Sequence, residues 1–276
     1  MQFVKGKIYS RKTDIHGPFG GSLQPGITRS SKSPVVFIFT GETGKQYGYH
    51  DDASDDGVYS YTGEGQIGHM EMTGGNRAIL QHAKEGRSLH LFKSMGKGKG
   101  HKYIDEFCCA SHSWGLGPDR KGDTRKIIIF RLVPVSTLTQ LEDFSEQQPN
   151  SPTNTLTLSE ARDLALNASA TPQNQDSKAA LRTIYVRSQR VKDYVLMRAE
   201  GVCESCGDAA PFFRKNGTPY LEPHHINRLS DGGIDHPAYV GAICPACHRE
   251  IHFGQHGTVK NEALRDIVQK KEKAMS

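Results

Sequence analysis

Two Cys-x-x-Cys pairs constrain this chain more than any other feature of its sequence. Cys203 and Cys206 form the first pair, and Cys244 and Cys247 form the second pair after 37 intervening residues. Pairs with this spacing can place four thiolates around one tetrahedral Zn²⁺, in a site that keeps no open position for a substrate. We therefore expect a structural zinc ion that stabilises a domain too small to build a full core.

Charge separates the 276 residues into three parts. Residues 1–135 carry a net charge of +6, residues 136–180 carry −4, and residues 181–276 carry +3. The middle part is rich in Ser, Thr, Gln, Asn and Pro, so it predicts a flexible acidic linker, with one short helix near residues 157–166. The outer parts predict two basic folded domains, which favours a polyanionic partner.

The sequence shows no sign of a membrane or secreted protein. Its longest apolar runs, residues 35–39 and 127–130, are far shorter than the roughly 20 residues that cross a bilayer. The N-terminus lacks an apolar stretch before a cleavage site, so we expect a cytoplasmic protein with reduced cysteines.

The first domain alternates β-forming runs with turns rich in Gly, Pro and Asp. Residues 75–86 predict a helix that ends at a glycine in the left-handed conformation, Gly86. Trp114 is expected to pack in the core, and Cys108 and Cys109 are expected to lie in a strand without a chemical role. We predict a mostly antiparallel, barrel-like sheet with one or two helices and with strands at residues 7–10, 34–40, 57–61, 88–93, 102–110 and 126–133.

The second domain begins with a predicted helix at residues 182–199 and then concentrates histidines around the second cysteine pair. His248 and His252 are four residues apart on a predicted helix, so both imidazoles lie on one face and can bind one ion. Adjacent residues of a strand point to opposite sides. One of His224 and His225 can therefore join that ion, while the other acts as a base near neutral pH.

This region resembles the zinc-stapled HNH nucleases of the ββα-metal type. The resemblance implies that His225 is the general base and that Tyr239 stands at the catalytic position of the family's middle Asn. It also implies one catalytic divalent cation (Mg²⁺, Mn²⁺, Co²⁺ or Ni²⁺) bound by His224, His248 and His252, and imidazole ligands favour the transition metals over Mg²⁺. It covers about residues 200–256, through the motifs Cys203-Glu-Ser-Cys206, Leu221-Glu-Pro-His-His-Ile226, Leu229-Ser-Asp-Gly-Gly233 and Cys244-Pro-Ala-Cys-His-Arg-Glu-Ile-His252.

In the first domain, aromatic, carboxylate and hydroxyl residues converge near residues 47–65, as a pocket for an extruded base requires. The segment resembles the SRA (SET and RING associated) domain, a reader of modified cytosine. The resemblance covers about residues 5–133, through His16-Gly-Pro-Phe-Gly-Gly21, residues 49–65, Gly75-Asn-Arg-Ala-Ile79 and Leu89-His-Leu-Phe92. It implies Tyr49 and Tyr61 as stacking aromatics, Asp52 (with Asp51 as the alternative) as the carboxylate, and Thr62 as the hydroxyl. Tyr59 and Tyr61 also fit one face of an ordinary core strand.

Together these patterns predict an α+β protein: an SRA/PUA-like β-barrel at 1–135, a linker at 136–180, and an HNH domain with a Cys₄ zinc site at 181–276. The expected function is a type IV-like, metal-dependent endonuclease that flips a modified cytosine (5-methylcytosine or 5-hydroxymethylcytosine) and cuts double-stranded DNA nearby. Cutting both strands with single-metal sites predicts a homodimer, at least on DNA. Two alternatives stay open: a non-catalytic reader of modified DNA, and an HNH nuclease indifferent to modification.

Overall fold

A computed structural model describes residues 3–41, 52–53, 57–137, 156–168, 177–227 and 236–275, with the backbone alone for 52–53. The chain divides into two units: Met1–Gln140 with Thr171–Tyr185, and Leu141–Ala170 with Val186–Ser276. Among the described residues, none of the helices combines the length and the apolarity needed to cross a membrane.

The first unit contains every predicted strand and two that were not predicted. Its helical segments are a π-helical turn at Arg11–His16, α1 (Gly17–Phe19) and α2 (Gly74–Gln81). The chain after α2 turns at Gly86, whose φ is +60° as expected for a glycine that ends a helical segment. The strands are β1 (Ile8–Tyr9), β2 (Ile27–Arg29), β3 (Val35–Thr40), β4 (Asp52–Ala53), β5 (Tyr59–Thr62), β6 (Ser88–Ser94), β7 (His101–Pro118) and β8 (Thr124–Pro134).

These strands form one rolled sheet in the order β2-β3-β6-β7-β8-β5-β4, with β1 paired to β7. Only the β3–β6 pair is parallel among the pairs of the described strands. The Tyr61 hydroxyl on β5 lies 3.3 Å from the Phe39 carbonyl oxygen on β3. In a flat sheet, four strand spacings would separate these strands by about 19 Å, so the sheet is rolled. The barrel-like, mostly antiparallel architecture and the α+β class are therefore confirmed.

The core of the first unit lies inside this roll and is closed by α2. Cys108 and Cys109 lie in a strand, β7, as predicted, and both are buried. The prediction for Trp114 is wrong, because its side chain is 46% exposed. Ladder pairing between β7 and β8 continues as far as Pro118 and Thr124, so the hairpin extends beyond the residues that cover the core.

In its described residues, the second unit contains three whole helices, the part of a fourth helix that follows Tyr185, and a two-stranded antiparallel sheet. Helix α3 lies inside the predicted linker, where Ala161 and Ala165 are buried in the core of this unit. The helix predicted there is confirmed, and two of its alanines belong to the core of the second unit. The elements are α3 (Leu158–Ala168), α4 (Ser177–Ala199), β9 (Glu222–His225), a 3₁₀ turn (Pro237–Tyr239), β10 (Val240–Ile243), α5 (Pro245–Phe253) and α6 (Gly257–Ala274).

A buried arginine connects most of these elements. The Arg198 guanidinium at the end of α4 donates two hydrogen bonds to the Glu204 carboxylate, at 3.0 and 2.8 Å, and one to Glu272 on α6 at 2.8 Å. It also donates to the backbone oxygens of Pro237 and Val240. Burial alone lowers the pKa of Arg198, but the contacts with Glu204 and Glu272 outweigh burial and raise it. One side chain thus joins the end of α4 to the 3₁₀ turn, to the start of β10 and to α6.

We expect Arg198→Met to lower the free energy of unfolding of the second unit by about 3–5 kcal/mol, because it removes the buried cation that Glu204 and Glu272 share. Glu272 then keeps its ion pair with Arg162, and Glu204 keeps its ion pair with Lys271. Arg190→Met is the matched control, since Arg190 is exposed on the same helix. Hydrogen exchange of the β9 and β10 amides measures the difference. Equal protection in the two variants would contradict the role given to Arg198.

Candidate metal centres and base pocket

The four cysteines of the two Cys-x-x-Cys pairs meet in the second unit. Cys203 follows the end of α4, where Glu200 and Gly201 both adopt positive φ and turn the chain sharply. Cys244 lies between β10 and α5, and Cys247 lies in the first turn of α5. The four Sγ atoms lie within 4.8 Å of one another. A tetrahedral zinc with Zn–S bonds of about 2.3 Å needs Sγ separations of about 3.8 Å, so small side-chain adjustments allow the cluster to hold one.

The surroundings of Cys203 favour the thiolate that zinc binding requires. The backbone N–H of Cys244 donates to Cys203 Sγ at 3.2 Å. Burial raises the pKa of this thiol, but backbone N–H groups of Cys206, Cys244 and Ser205 outweigh burial and lower it. Donors aimed at a sulfur fit a metal thiolate better than a neutral thiol.

Three histidines form a second cluster on β9 and α5. His224, His248 and His252 each offer a ligand nitrogen, and these atoms lie within 4.8 Å of one another. Their ring centroids are nearly equidistant, at 5.1, 5.2 and 5.0 Å. The helical spacing brings His248 and His252 together, and the strand places His224 opposite them. The arrangement fits a single divalent ion with three imidazole ligands and open positions.

Two further residues hold these imidazoles, and the motifs predict neither of them. Glu222 Oε2 accepts from His248 Nδ1 at 2.7 Å. Asn261 on α6 lies 3.1 Å from His224 Nε2. Residues of this kind orient metal ligands and select the nitrogen that faces the ion. Strand alternation places Glu222 on the same face as His224, so the sequence pattern could have predicted its role. Asn261 lies outside the motif, and no sequence pattern indicates its contact with His224.

His225 follows His224 on β9 and points to the opposite side of the strand. It pairs with Val240 on β10 and is 5% exposed. Tyr239 contacts this region through its backbone, since its carbonyl oxygen accepts from the Ile226 N–H at 3.0 Å. His225 is thus the sequence neighbour of one member of the histidine cluster and lies on the other face of the strand.

Part of the predicted base pocket is described in the first unit. Tyr61 and Thr62 are buried on β5, and Tyr59 and Tyr61 face the core together. The backbone of Asp52 on β4 pairs with Ser60, next to Tyr61. Tyr49 and Asp51 lie outside the described residues.

Asn76 holds the turn that follows Thr62. Its Oδ1 accepts from the Glu64 N–H at 2.7 Å, and its Nδ2 donates to the carbonyl oxygens of Glu64 and Glu71 at 2.9 and 2.8 Å. A Cβ on Gly63 would lie 2.5 Å from Asn76 Oδ1. This close approach explains the glycine and fixes the end of β5 against α2.

We expect Asn76→Ala to lower the free energy of unfolding of the first unit by about 1–3 kcal/mol, because it removes three hydrogen bonds to partly buried backbone groups of Glu64 and Glu71. Urea unfolding followed by the fluorescence of Trp114 measures this, since Trp114 is the chain's one tryptophan. Arg77→Ala, an exposed neighbour on α2, is the control. Identical midpoints for the two variants would show that the Asn76 contacts do not hold the turn.

Comparison with known proteins gives three kinds of similarity. Residues 5–151 match the family model described as ScoMcrA-like, SRA domain. A segment of 84 residues is 44% identical to the type IV methyl-directed restriction enzyme EcoKMcrA of Escherichia coli (strain K12), and it covers 30% of this chain and 30% of that enzyme. The chain therefore matches under a third of the length of this relative.

Solved structures with a similar arrangement include the type IV phosphorothioation-dependent restriction endonuclease ScoMcrA (20% identity, TM-score 0.42, covering 100% of this chain and 56% of that chain). The modification-dependent TagI restriction endonuclease is another (18% identity, TM-score 0.36, covering 91% and 78%). A third is the SUVH5 SRA domain in complex with fully methylated CG DNA (16% identity, TM-score 0.34, covering 48% and 95%).

Proposed function

Because this chain belongs to the ScoMcrA-like SRA domain family through residues 5–151, we propose that it is a modification-dependent DNA endonuclease. Its first unit reads modified cytosine, and its second unit is an HNH nuclease of the ββα-metal type that cuts DNA nearby. The observation that carries the proposal is the cluster of His224, His248 and His252, with His225 as the next residue after His224 on β9. The methyl-directed restriction activity in the description of EcoKMcrA supports the same class.

In this proposal His225 is the general base. Its imidazole accepts a proton from the water that attacks the scissile phosphorus. Because β9 directs His224 and His225 to opposite faces, the base does not compete with the ligands for the ion. Glu222 keeps His248 turned towards the cluster through its hydrogen bond to Nδ1. When bound, a divalent cation neutralises charge on the scissile phosphate and on the leaving 3′ oxygen.

The reading step is proposed for the pocket at β5. Tyr49 and Tyr61 stack on a cytosine extruded from the duplex, and Asp52 and Thr62 pair with its edge. The exposed hairpin tip between β6 and β7 carries Lys97 and Lys99, which are suited to a phosphate backbone. Both 5-methylcytosine and 5-hydroxymethylcytosine are candidate marks.

The experiment that tests the function is a parallel digest of one plasmid in unmodified, 5-methylcytosine and 5-hydroxymethylcytosine forms, with Mn²⁺, Co²⁺, Ni²⁺ or Mg²⁺. We expect cleavage of modified DNA alone. Binding without cleavage with any of the four ions would favour the non-catalytic reader. Equal cleavage of all three plasmids would favour a nuclease indifferent to modification.

We expect Asp52→Ala to reduce the ratio of cleavage of methylated to unmodified DNA by about tenfold or more, since base-reading hydrogen bonds contribute about 1–3 kcal/mol of discrimination. Tyr61→Ala should act in the same direction, but Tyr61 is a core residue, so its folding must be measured as well. Asp123→Ala, at an exposed acidic residue of the same unit, is the control. An unchanged ratio in both pocket variants would move the pocket elsewhere.

Cutting both strands requires two such centres, so the proposal includes two protomers on one DNA. Sedimentation of the protein with and without a methylated duplex measures this. A single protomer bound per duplex that still undergoes double-strand cleavage would contradict the dimer.

A further inference from the structure

The strongest unassigned group near the histidine cluster is the amide of Asn261. Helix α6 buries Leu264 and Val268 in the core of the second unit. Asn261 lies three and seven residues before them, so it occupies the same stripe of the helix. An amide at an otherwise apolar position needs hydrogen-bond partners, and both of its partners belong to the strand that carries the histidines or to its continuation.

The first partner is a backbone carbonyl. Asn261 Nδ2 donates to the Ile226 oxygen at 2.8 Å. Because a carbonyl oxygen can only accept, this contact fixes which end of the amide faces Ile226. The amide oxygen must then face His224 Nε2, 3.1 Å away.

The second contact selects a tautomer. An amide oxygen only accepts, so the Nε2 atom of His224 carries the proton and its Nδ1 atom keeps the lone pair. Neutral Nδ1 is therefore the ligand atom that His224 offers. In His248 the Nδ1 atom contacts Glu222, so Nε2 is the ligand atom that this residue offers. His224 and His248 therefore offer different ring nitrogens to the cluster, Nδ1 from the first and Nε2 from the second.

The first contact also bears on the base, because Ile226 is the residue after His225. The HNH resemblance implies a middle Asn that orients the base through this loop, and Tyr239 stands at that position. Tyr239 reaches Ile226 with its backbone oxygen, and the side-chain amide comes instead from α6.

We propose that Asn261 is a positioning residue that fixes the Nε2-protonated form of His224 and holds the backbone behind His225. It thereby replaces the missing middle Asn from a different element of the fold. This inference deepens the proposed function and rests on it, because it assigns His224 to a metal and His225 to a base.

The proposal is tested by two measurements that do not depend on DNA cleavage. Titration of the zinc-containing protein with Co²⁺ by calorimetry is expected to give a dissociation constant about 10–100-fold higher for Asn261→Leu, as for other residues that orient metal ligands. Long-range ¹H–¹⁵N spectra of protein without Co²⁺ are expected to show His224 as one Nε2-protonated tautomer in wild type and as a mixture in Asn261→Leu. Glu262→Leu, exposed on the same helix, should leave both readouts unchanged.

A second variant separates the two contacts. Asn261→Asp keeps an acceptor for His224 but loses the donor to Ile226. We expect it to keep at least wild-type Co²⁺ affinity and to cleave at least tenfold more slowly, because the tautomer is retained and the loop is released. Melting temperatures of both variants separate these effects from a general loss of stability.

Wild-type Co²⁺ affinity together with an unchanged His224 tautomer in Asn261→Leu would overturn the tautomer assignment. Wild-type cleavage by Asn261→Asp would overturn the loop assignment. If the wild-type protein cuts no DNA at all, the nuclease proposal fails on its own, while the Co²⁺ titration and the spectra still decide whether Asn261 orients a metal ligand.

Discussion

Replacing His225 with alanine is expected to lower the rate of cleavage of methylated DNA by about 10²- to 10⁴-fold, the usual contribution of a general acid or base. DNA affinity should stay unchanged, because the proposed reading pocket lies in the first unit and the proposed metal ligand His224 faces the other side of β9. Single-turnover digestion at saturating protein measures the chemical step, and gel-shift titration of the same plasmid fragment measures binding.

His225 is almost fully buried and pairs with Val240, so loss of folding must be separated from loss of chemistry. His225→Asn keeps the size of the side chain and should show the same loss of cleavage. His256→Ala is the matched control, since this histidine is exposed at the start of α6. A His225→Asn protein that cuts at the wild-type rate would remove His225 from the role of base.

The strands of the first unit were predictable because their signal is local. Runs such as residues 127–130 combine β-branched and aromatic residues between turns, and in the structure this run lies in strand β8. The unpredicted strands, Ile27–Arg29 and Asp52–Ala53, are too short for a periodic pattern. Their conformation is set by pairing with β3 and β5, which are contacts that a local pattern does not contain.

Burial was less predictable than secondary structure. Trp114 is apolar enough for a core, but the length of the β7–β8 ladder carries it past the core. Helix α3 has linker-like composition around it, yet its two alanines allow close packing in the second unit. In both cases the outcome depends on partners that are distant in sequence.

The candidate site divides in the same way. The cysteine and histidine clusters were predictable from spacing, because Cys-x-x-Cys turns and an i, i+4 helical pair bring ligands together locally. The contacts of Asn261 with His224 and Ile226 span 37 and 35 residues. Such contacts depend on how α6 packs, so no sequence motif predicts them.

The largest stability effect is expected at the cysteine cluster. Structural zinc in small domains contributes about 10–16 kcal/mol of binding free energy at neutral pH, whereas whole domains are stable by about 5–15 kcal/mol. The second unit has a core of its own, but Cys203 and Cys247 are part of that core. Loss of zinc would therefore remove the ion and also leave buried thiolates or thiols at the junction of α4 with α5.

We expect Cys247→Ser, or treatment with a strong zinc chelator, to unfold the second unit while the first unit stays folded. Hydrogen exchange should show β9, β10 and α5 losing protection, with Trp114 fluorescence unchanged because the first unit has a separate core. Cys108→Ala, at a buried cysteine of the first unit, should cost only about 1 kcal/mol. Refolding on addition of Zn²⁺ but not Mg²⁺ would identify the ion by its preference for sulfur. Full protection of β9 and β10 after chelation would mean that the four cysteines do not hold this fold through a metal.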